Sequence, residues 1–236
     1  MNEFENRPQA PDPNSTLGRV LSSAAILQKS VSDAVLVGGS AAALSAVHRE
    51  STDHDHGLTD LRERFDLVLE ALEATDGWVT NRVRPGKIIL GSLGDIEAGV
   101  RQMIRKTPLE TAQVKLASGD SVNVPTLDET IRIKAFLVVA RNQTRDFLDV
   151  AALADSAGIE RAAMIISNID SYYADQHGDG DGVATQCTRQ LSSPQPADAR
   201  VTNELAHYKG LAHRWHDWKE TVTICQSIAD AVIEKS

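Results

Sequence analysis

One short stretch of this sequence constrains the fold more than any other. Residues 35–40 read Val-Leu-Val-Gly-Gly-Ser, and Asp53-His54-Asp55 begins thirteen residues after Ser40. An apolar run that ends in two glycines is typical of a buried strand followed by a tight turn. The Ala-rich stretch after the turn predicts a helix, and residues 53–58 predict a second strand that carries the two carboxylates. This order of strand, turn, helix and strand predicts an α/β core.

Regular patterns continue on both sides of this stretch and change character near residue 125. The sequence predicts strands at 34–37, 53–58, 88–90, 96–100, 112–116 and 121–124, and helices at 17–28, at 41–47 and after Thr59. Thr126-Leu127-Asp128-Glu129 is a capping box that opens a helical region, with further helices at 144–156 and 160–173. Residues 176–196 predict a loop, and one or two helices complete the chain. We therefore predict a flexible tail at 1–15, an α/β core at 16–125 and a helical domain at 126–236.

The charge of the chain restricts its partners. A net charge of −9 argues against a general nucleic-acid binder, which normally has a basic surface. The distribution is uneven, because seven lysines and arginines lie between Arg82 and Lys115 and could form a local basic groove. The sequence has no apolar run of membrane-spanning length and no signal peptide. Its two cysteines lack ligand-type spacing and fit a reducing compartment, so we expect a cytoplasmic protein that does not contact a membrane.

The glycine turn is the first candidate binding element. Backbone amides at the start of a helix attract anions, and glycine lets a phosphate approach the backbone closely. Gly38, Gly39 and Ser40 could therefore contact phosphate, with the Ser40 hydroxyl as a donor. A plain strand-to-helix turn would have the same residues, so this motif alone does not decide between the two interpretations.

The two aspartates are the second candidate element. Residues two apart on a strand share a face, so the carboxylates of Asp53 and Asp55 are expected to project together. Such a pair can hold Mg²⁺ ions that also bind triphosphate oxygens. A solvated polar turn is the alternative for this hydrophilic segment. We do not expect zinc, because His54 and His56 take the opposite strand face and no remote Cys or His cluster completes a site.

A second polar cluster follows in the helical half. Lys134 and Arg141 are seven residues apart and therefore share one helix face, and Arg145, Asp146 and Asp149 follow on the next predicted helix. Cations arranged in this way can hold a triphosphate and stabilise the charge that develops on it. The same residues could equally form an intramolecular salt-bridge network between two packed helices.

These two regions together resemble the AbiEii/AbiGii-type nucleotidyltransferase toxins. The first motif is Gly38-Gly39-Ser40 followed by His48-Arg-Glu-Ser-Thr-Asp53-His-Asp55. The second runs from Glu129-Thr-Ile-Arg-Ile-Lys134 to Arg141-Asn-Gln-Thr-Arg145-Asp146-Phe-Leu-Asp149. The resemblance covers residues 34–158 in the order of the family. It implies an α/β (α+β) nucleotidyltransferase fold with a mixed sheet in the N-terminal half and a helical C-terminal half.

The resemblance also implies roles for individual residues. Gly38, Gly39 and Ser40 would face the triphosphate, and Asp53 and Asp55 would hold Mg²⁺. Lys134 would bind the triphosphate with Arg141, Arg145 and Asp146, and Asp149 would complete the catalytic set. The third metal carboxylate is expected on a neighbouring strand, where Asp95 and Glu97 are the candidates and Glu97 is preferred. Relatives usually have an apolar residue between the two aspartates because that side chain enters the core, whereas this sequence has His54.

The function that follows is a Mg²⁺-dependent nucleotidyltransferase. An acceptor hydroxyl would attack the α-phosphate of an NTP, and pyrophosphate would leave. The resemblance implies the toxin of a toxin–antitoxin pair, with the acceptor end of tRNA as substrate and a cognate antitoxin protein as partner. Two alternatives stay open: transfer to a small hydroxylated molecule such as an aminoglycoside, which suits the acidic net charge, and a non-catalytic binding module with the same fold.

Overall fold

The computed structural model describes residues 10–176, 180–208 and 210–235. The chain divides into two compact units, each with its own core. The first unit contains the residues up to Leu44 together with Glu50–Thr126, and the second contains Ser45–Arg49 together with the residues from Leu127 onward. Most of the predicted tail, residues 1–9, lies outside the described residues, and Ser15 caps the first helix by accepting a hydrogen bond from the Gly18 amide.

A five-stranded mixed sheet organises the first unit. Its strand order is β1-β2-β5-β4-β3, in which β2 and β5 are parallel and every other neighbouring pair is antiparallel. A separate hairpin is formed by β6 and β7. The elements are α1 Thr16–Ser30, β1 Val35–Val37, α2 Gly38–Ala46, β2 His54–Leu58, α3 Phe65–Glu73, β3 Trp78–Arg84, β4 Ile88–Leu93, β5 Ile96–Gln102, β6 Thr111–Lys115 and β7 Ser121–Pro125.

The two faces of this sheet differ in chemistry. One face packs on α1 and α3, where Leu27, Phe65, Leu72, Ile89 and Val100 belong to one continuous buried cluster. The strand register places a different set on the other face, because Asp55 is opposite Gly99, Gly99 is opposite Leu90, and Leu90 is opposite Arg82. Alternation along the strands therefore separates an apolar core face from a face that carries charged side chains.

The second unit consists of helices. They are α4 Leu127–Arg141, α5 Thr144–Ala157, α6 Ile159–Ser167, α7 Asp170–Tyr173, α8 Val183–Ser192 and α9 Trp218–Ile233, with 3-10 helices at Ala199–Asn203, Leu205–His207 and His213–His216. The last helix packs against α5, α6 and α8. The predicted class, a mixed sheet in the N-terminal half and helices in the C-terminal half, is confirmed. Within the described residues, none of the helices combines the length and apolar character that crossing a membrane requires.

Several predicted boundaries were wrong. Helix α2 begins at Gly38, where φ is +79°, so the glycine turn is the first turn of the helix itself. Strand β2 begins at His54, one residue later than predicted, and the helix after Thr59 begins only at Phe65. Strand β3 was not predicted, and helix α8 occupies part of the region 176–196 that was predicted as a loop.

Candidate functional site

Asp55 lies in a slot that glycine residues keep open. It pairs with Val37 on one side and with Gly99 on the other. A Cβ atom at position 99 would be 2.8 Å from Asp55 Oδ1, and one at Gly38 would be 3.8 Å from Asp55 Oδ2. Close contact under 3 Å is not tolerated, so the conformation of the Asp55 carboxylate depends on the missing side chain at Gly99.

Beside Asp55 a polar cavity of about 270 Å³ opens on the charged face of the sheet. Three carboxylates line it together, those of Asp53, Asp55 and Glu97, and two guanidinium groups do so as well, those of Arg82 and Arg101. The remaining lining residues are His54, Asn81, Leu90, Gly91 and Ala98. Strands β2, β3, β4 and β5 all contribute, so the first unit assembles this cavity from its own elements.

The two candidates for a third carboxylate have different environments. Asp95 lies outside the cavity lining and pairs with Arg19, whose Nη2 is 2.6 Å from Asp95 Oδ2. Glu97 is exposed on β5, on the same face as Gly99 and Arg101, and lines the cavity. The structure therefore brings Glu97, and not Asp95, to the cavity of Asp53 and Asp55.

Existing contacts already engage several of these groups. The Arg101 Nε donates a hydrogen bond of 2.9 Å to Asp55 Oδ1. The buried Ser40 hydroxyl donates to the carbonyl oxygen of Asp53 at 2.6 Å, so its proton is used within the loop and not directed at the cavity. The Asp53 carboxylate accepts a longer hydrogen bond of 3.4 Å from Ser51 Oγ.

The oxygen chemistry of the cavity fits Mg²⁺. This ion prefers carboxylate and phosphate oxygens, and it commonly takes one or two carboxylates from the protein and completes its shell with water and substrate phosphate. Among the described residues, no group of three or more Asp, Glu, His or Cys side chains is close enough to hold a metal ion by itself. Asp53, Asp55 and Glu97 could thus supply part of a shell.

The rings of His54 and His56 are buried in the core of the first unit. Their exposed fractions are 1% and 0%, and His54 Nε2 lies 3.0 Å from Ser23 Oγ of α1. Burial, opposed by the negative charge of Asp53, lowers the pKa of His54 from 6.5 to about 4. Burial and the neighbouring His54 also lower the pKa of His56 well below its usual value. Both rings are therefore neutral at pH 7 and act as polar core residues.

The second cluster surrounds Asp149 within the helical unit. The carboxylate is buried, and Lys134 Nζ and His48 Nε2 each lie 2.7 Å from one of its oxygens. Arg49 adds two hydrogen bonds, of 2.9 and 3.1 Å, to the same carboxylate. Burial disfavours the charged form, but Lys134, Arg49 and His48 outweigh it and hold the pKa of Asp149 well below its usual range. Asp149 is thus held as a buried carboxylate by contacts with Lys134, Arg49 and His48.

The other residues of this cluster form a separate pair. Arg141 Nη2 lies 2.5 Å from Asp146 Oδ1, and the Asp146 side chain is fully buried whereas that of Arg141 is 37% exposed. Burial raises the pKa of Asp146, although Arg141 and Lys134 oppose the shift. Arg145 lies on α5 and is partly buried. The salt-bridge network weighed as an alternative therefore exists for Lys134, Arg141, Asp146 and Asp149.

Sequence reasoning missed several members of both clusters. Arg101 and Arg82 line the cavity, and their only signal in the sequence was the basic stretch between 82 and 115. His48 and Arg49 were noted within the first motif, but nothing in the spacing connected them to Asp149, which lies 100 residues beyond Arg49. The predicted residues fall into two groups, with Gly38, Gly39, Ser40, Asp53, Asp55 and Glu97 in the first unit and Lys134, Arg141, Arg145, Asp146 and Asp149 in the second.

Sequence comparisons relate this chain to part of much longer proteins. No family model matches it. Over 185 residues it is 32% identical to the heme uptake protein MmpL11 of Mycobacterium tuberculosis, a match that covers 77% of this chain and 17% of that protein. The mycolic acid-containing lipids exporter MmpL11 of Mycolicibacterium smegmatis is 35% identical over 135 residues, which is 56% of this chain and 13% of that protein. The chain therefore spans less than a fifth of the length of the curated relatives it matches.

Structural comparisons identify the fold. A crystal structure of a protein from Helicobacter pylori, provisionally assigned as a nucleotidyltransferase, matches with a TM-score of 0.52 at 14% identity, covering 93% of this chain and 94% of that one. The crystal structure of JHP933 from the same organism matches with a TM-score of 0.51 at 16% identity, covering 94% of both chains. At this identity the likeness establishes a nucleotidyltransferase-type fold and nothing further.

Proposed function

We propose that this protein is a Mg²⁺-dependent nucleotidyltransferase that moves a nucleoside monophosphate from an NTP to an acceptor hydroxyl. One observation carries the proposal: on a nucleotidyltransferase-type fold, Asp53, Asp55 and Glu97 line a single open cavity. Asp55 also lies beside Gly38, the first residue of α2. Carboxylates next to a helix N-terminus combine a cation site with an anion site, which is what a metal-bound triphosphate requires.

The residues of the first unit would have separate roles in binding and catalysis. One or two carboxylates among Asp53, Asp55 and Glu97 would hold Mg²⁺, with water and substrate phosphate completing its shell. When bound, the ion would neutralise phosphate charge and make a bound hydroxyl more acidic. The amides of the first turn of α2, at Gly38 and Gly39, would bind phosphate oxygens. Arg82, exposed at the rim of the cavity, would stabilise negative charge as pyrophosphate leaves. The roles that the resemblance implies for Lys134, Arg141, Arg145, Asp146 and Asp149 in the helical unit stay predictions.

We propose further that the acceptor is the 3′ end of tRNA and that the protein is the cytoplasmic toxin of a toxin–antitoxin pair. The sequence motifs support this assignment through their resemblance to AbiEii/AbiGii-type toxins. The exposed Arg82 and Arg84 of β3 also support it, because they give an acidic protein a local positive charge on the sheet face that carries the cavity.

Label transfer tests the activity and the acceptor together. The protein would be incubated with each α-labelled NTP, Mg²⁺ and either total tRNA or an aminoglycoside. We expect label on tRNA, and a loss of at least about a hundredfold in Asp55→Asn, because an amide is a poor replacement for a metal carboxylate. Asp95→Asn is the matched control, since Asp95 is a carboxylate of the same sheet that lies outside the cavity. Undiminished transfer by Asp55→Asn would contradict the proposed site, and label on the aminoglycoside alone would contradict the acceptor.

The relation to the MmpL11 proteins favours a second candidate function, a non-catalytic module that binds a metal–nucleotide complex. The matched region is a minor part of proteins named for heme uptake or lipid export, and such a region could serve regulation instead of group transfer. This candidate predicts Mg²⁺-dependent NTP binding without transfer to any acceptor. NTP binding measured by calorimetry is therefore compared with label transfer on the same preparation. Binding without transfer supports this candidate, and binding with transfer supports the enzymatic proposal.

A further inference from the structure

The ion pair between Arg101 and Asp55 joins a cation to a proposed metal ligand. Arg101 Nε lies 2.9 Å from Asp55 Oδ1, and the guanidinium lines the cavity that Asp55 shares with Asp53 and Glu97. The register explains the contact, because Asp55 pairs with Gly99 while Arg101 projects from the same face two residues later. Gly99 has no side chain between them, so nothing on β5 separates the carboxylate from the guanidinium.

This ion pair contributes little to the stability of the fold. The Arg101 and Asp55 side chains are 47% and 27% exposed, whereas those of Lys134 and Asp149 are 3% and 1% exposed. Ion pairs at such exposed positions contribute little to stability, because solvent screens the attraction. Its position at the cavity therefore needs another explanation.

We propose that Arg101 is the counter-ion of Asp55 in the absence of substrate. When a metal–NTP complex binds, Arg101 leaves Asp55 and pairs with the nucleotide phosphates instead. This inference rests on the proposed function, because it assumes that Asp55 is a metal ligand. A free divalent cation must bind Asp55 while the guanidinium remains close by, and the two positive charges repel each other. A metal–triphosphate complex carries net negative charge, so it attracts the same guanidinium and draws it away from Asp55.

Arg101 is on this account a positioning residue with two opposite effects. It weakens the binding of free metal and strengthens the binding of metal with nucleotide, so the site is occupied mainly when both arrive together. A residue that only supported the fold would change both affinities in the same direction or in neither. The opposite signs are thus specific to the proposed role.

The test measures Mn²⁺ binding by electron paramagnetic resonance on the full chain, with and without a non-hydrolysable NTP analogue. For Arg101→Met we expect affinity for Mn²⁺ alone to rise about tenfold, the effect of removing a unit charge some 5 Å from a divalent ion in water. Affinity for the Mn²⁺–nucleotide complex should fall by a similar factor. Arg19→Met is the matched control, because Arg19 forms an exposed pair with Asp95 away from the cavity and both affinities should stay unchanged.

The outcomes separate this inference from the proposed function. The metal site stands if the wild type binds Mn²⁺–nucleotide and Asp55→Asn does not. If Arg101→Met then shifts the two affinities in the same direction, or leaves both unchanged, the proposed role of Arg101 is overturned. If neither the wild type nor Arg101→Met binds Mn²⁺ with or without nucleotide, both proposals fall. Circular dichroism of each variant confirms that a lost affinity does not reflect an unfolded chain.

Discussion

His54 and Asp55 are neighbours in the chain, but they have opposite environments. Asp55 lines a cavity that is open to solvent, whereas His54 is 1% exposed and faces the core beside Ser23. The residue between the two aspartates enters the core, as in the family that the sequence resembles, but here that core position carries a titratable ring. A hydrogen bond with the Ser23 hydroxyl makes a neutral imidazole acceptable there, whereas an imidazolium would be costly.

This burial predicts that the protein loses stability when the pH falls. The pKa of His54 is lowered from 6.5 to about 4 by burial, so the unfolded chain binds a proton that the folded chain does not bind between these values. The stability due to neutral His54 is complete above pH 6.5 and decreases as the pH falls toward 4. We expect His54 alone to cost about 2 kcal/mol between pH 7.5 and pH 5. Burial of His56 shifts its pKa in the same direction and adds to the loss.

Urea unfolding at pH 7.5 and pH 5 measures this effect. The variant His54→Leu should lose less stability between the two values than the wild type, since its core position no longer titrates. His213→Gln is the control, because His213 is exposed on a 3-10 helix and its replacement should leave the wild-type pH dependence intact. An equal loss in wild type and His54→Leu would show that His54 does not titrate in this range.

At the scale of elements, Asp149 connects three separate pieces of the helical unit. It lies on α5, its partner Lys134 lies on α4, and His48 and Arg49 belong to the segment Ser45–Arg49. All four side chains are buried or nearly so, with exposed fractions of 0–7%. A buried carboxylate of this kind offsets the free-energy cost of burying the cations beside it.

We therefore expect Asp149→Asn to be strongly destabilising. Without the carboxylate, Lys134 and Arg49 lose the negative charge that they share in a buried site, and breaking a buried pair in this way costs about 3–5 kcal/mol. Asp155→Asn is the control on the same helix, because its pair with Arg214 is 34% and 49% exposed and should be worth about 1 kcal/mol or less. The free energy of unfolding from urea titrations compares the two. Equal losses would mean that burial of the Asp149 cluster contributes nothing beyond a surface pair.

The sequence did not predict strand β3 or helix α8, and the reasons differ. Only Trp78 is buried in the edge strand β3, and the rest of the strand is polar or exposed, so it lacks the apolar alternation that identifies strands. Helix α8 buries Val183, Cys187, Thr188 and Leu191 at helical spacing, but the glycines and aspartates before it and the serines and prolines after it favoured a loop. Helix α5, which buries ten of its residues, was predicted to within one residue.

The candidate site was predictable only where it is local in sequence. The period of two along β2 is enough to separate the aspartates from the histidines, because neighbouring strand residues face opposite ways. The place of Glu97 and Arg101 depends on β5 lying parallel to β2, and no local pattern fixes that pairing. The partners of Asp149 likewise come from distant segments, so the choice between a phosphate site and a salt-bridge network needed tertiary structure.

At the scale of the whole molecule, the distribution of charge bears on the acceptor. The net charge of −9 would repel a polyanion and favour a cationic small molecule. Against this background Arg82 and Arg84 are exposed on one face of β3, and Arg82 also lines the cavity. An RNA acceptor would have to use this local positive charge, whereas an aminoglycoside would be repelled by it.

This opposition makes the acceptor class testable with one double variant, Arg82→Gln/Arg84→Gln. If the acceptor is RNA, its KM should rise roughly tenfold and the slope of log KM against log salt should fall by roughly 1 for each arginine, because each contacts one phosphate. Arg189→Gln removes an exposed arginine of the helical unit, where Arg189 pairs with Asp181, and should change neither quantity. A cationic acceptor predicts the reverse, a KM that falls in the double variant. Steady-state transfer assays at several salt concentrations distinguish the two, and an unchanged KM for tRNA would remove β3 from the acceptor site.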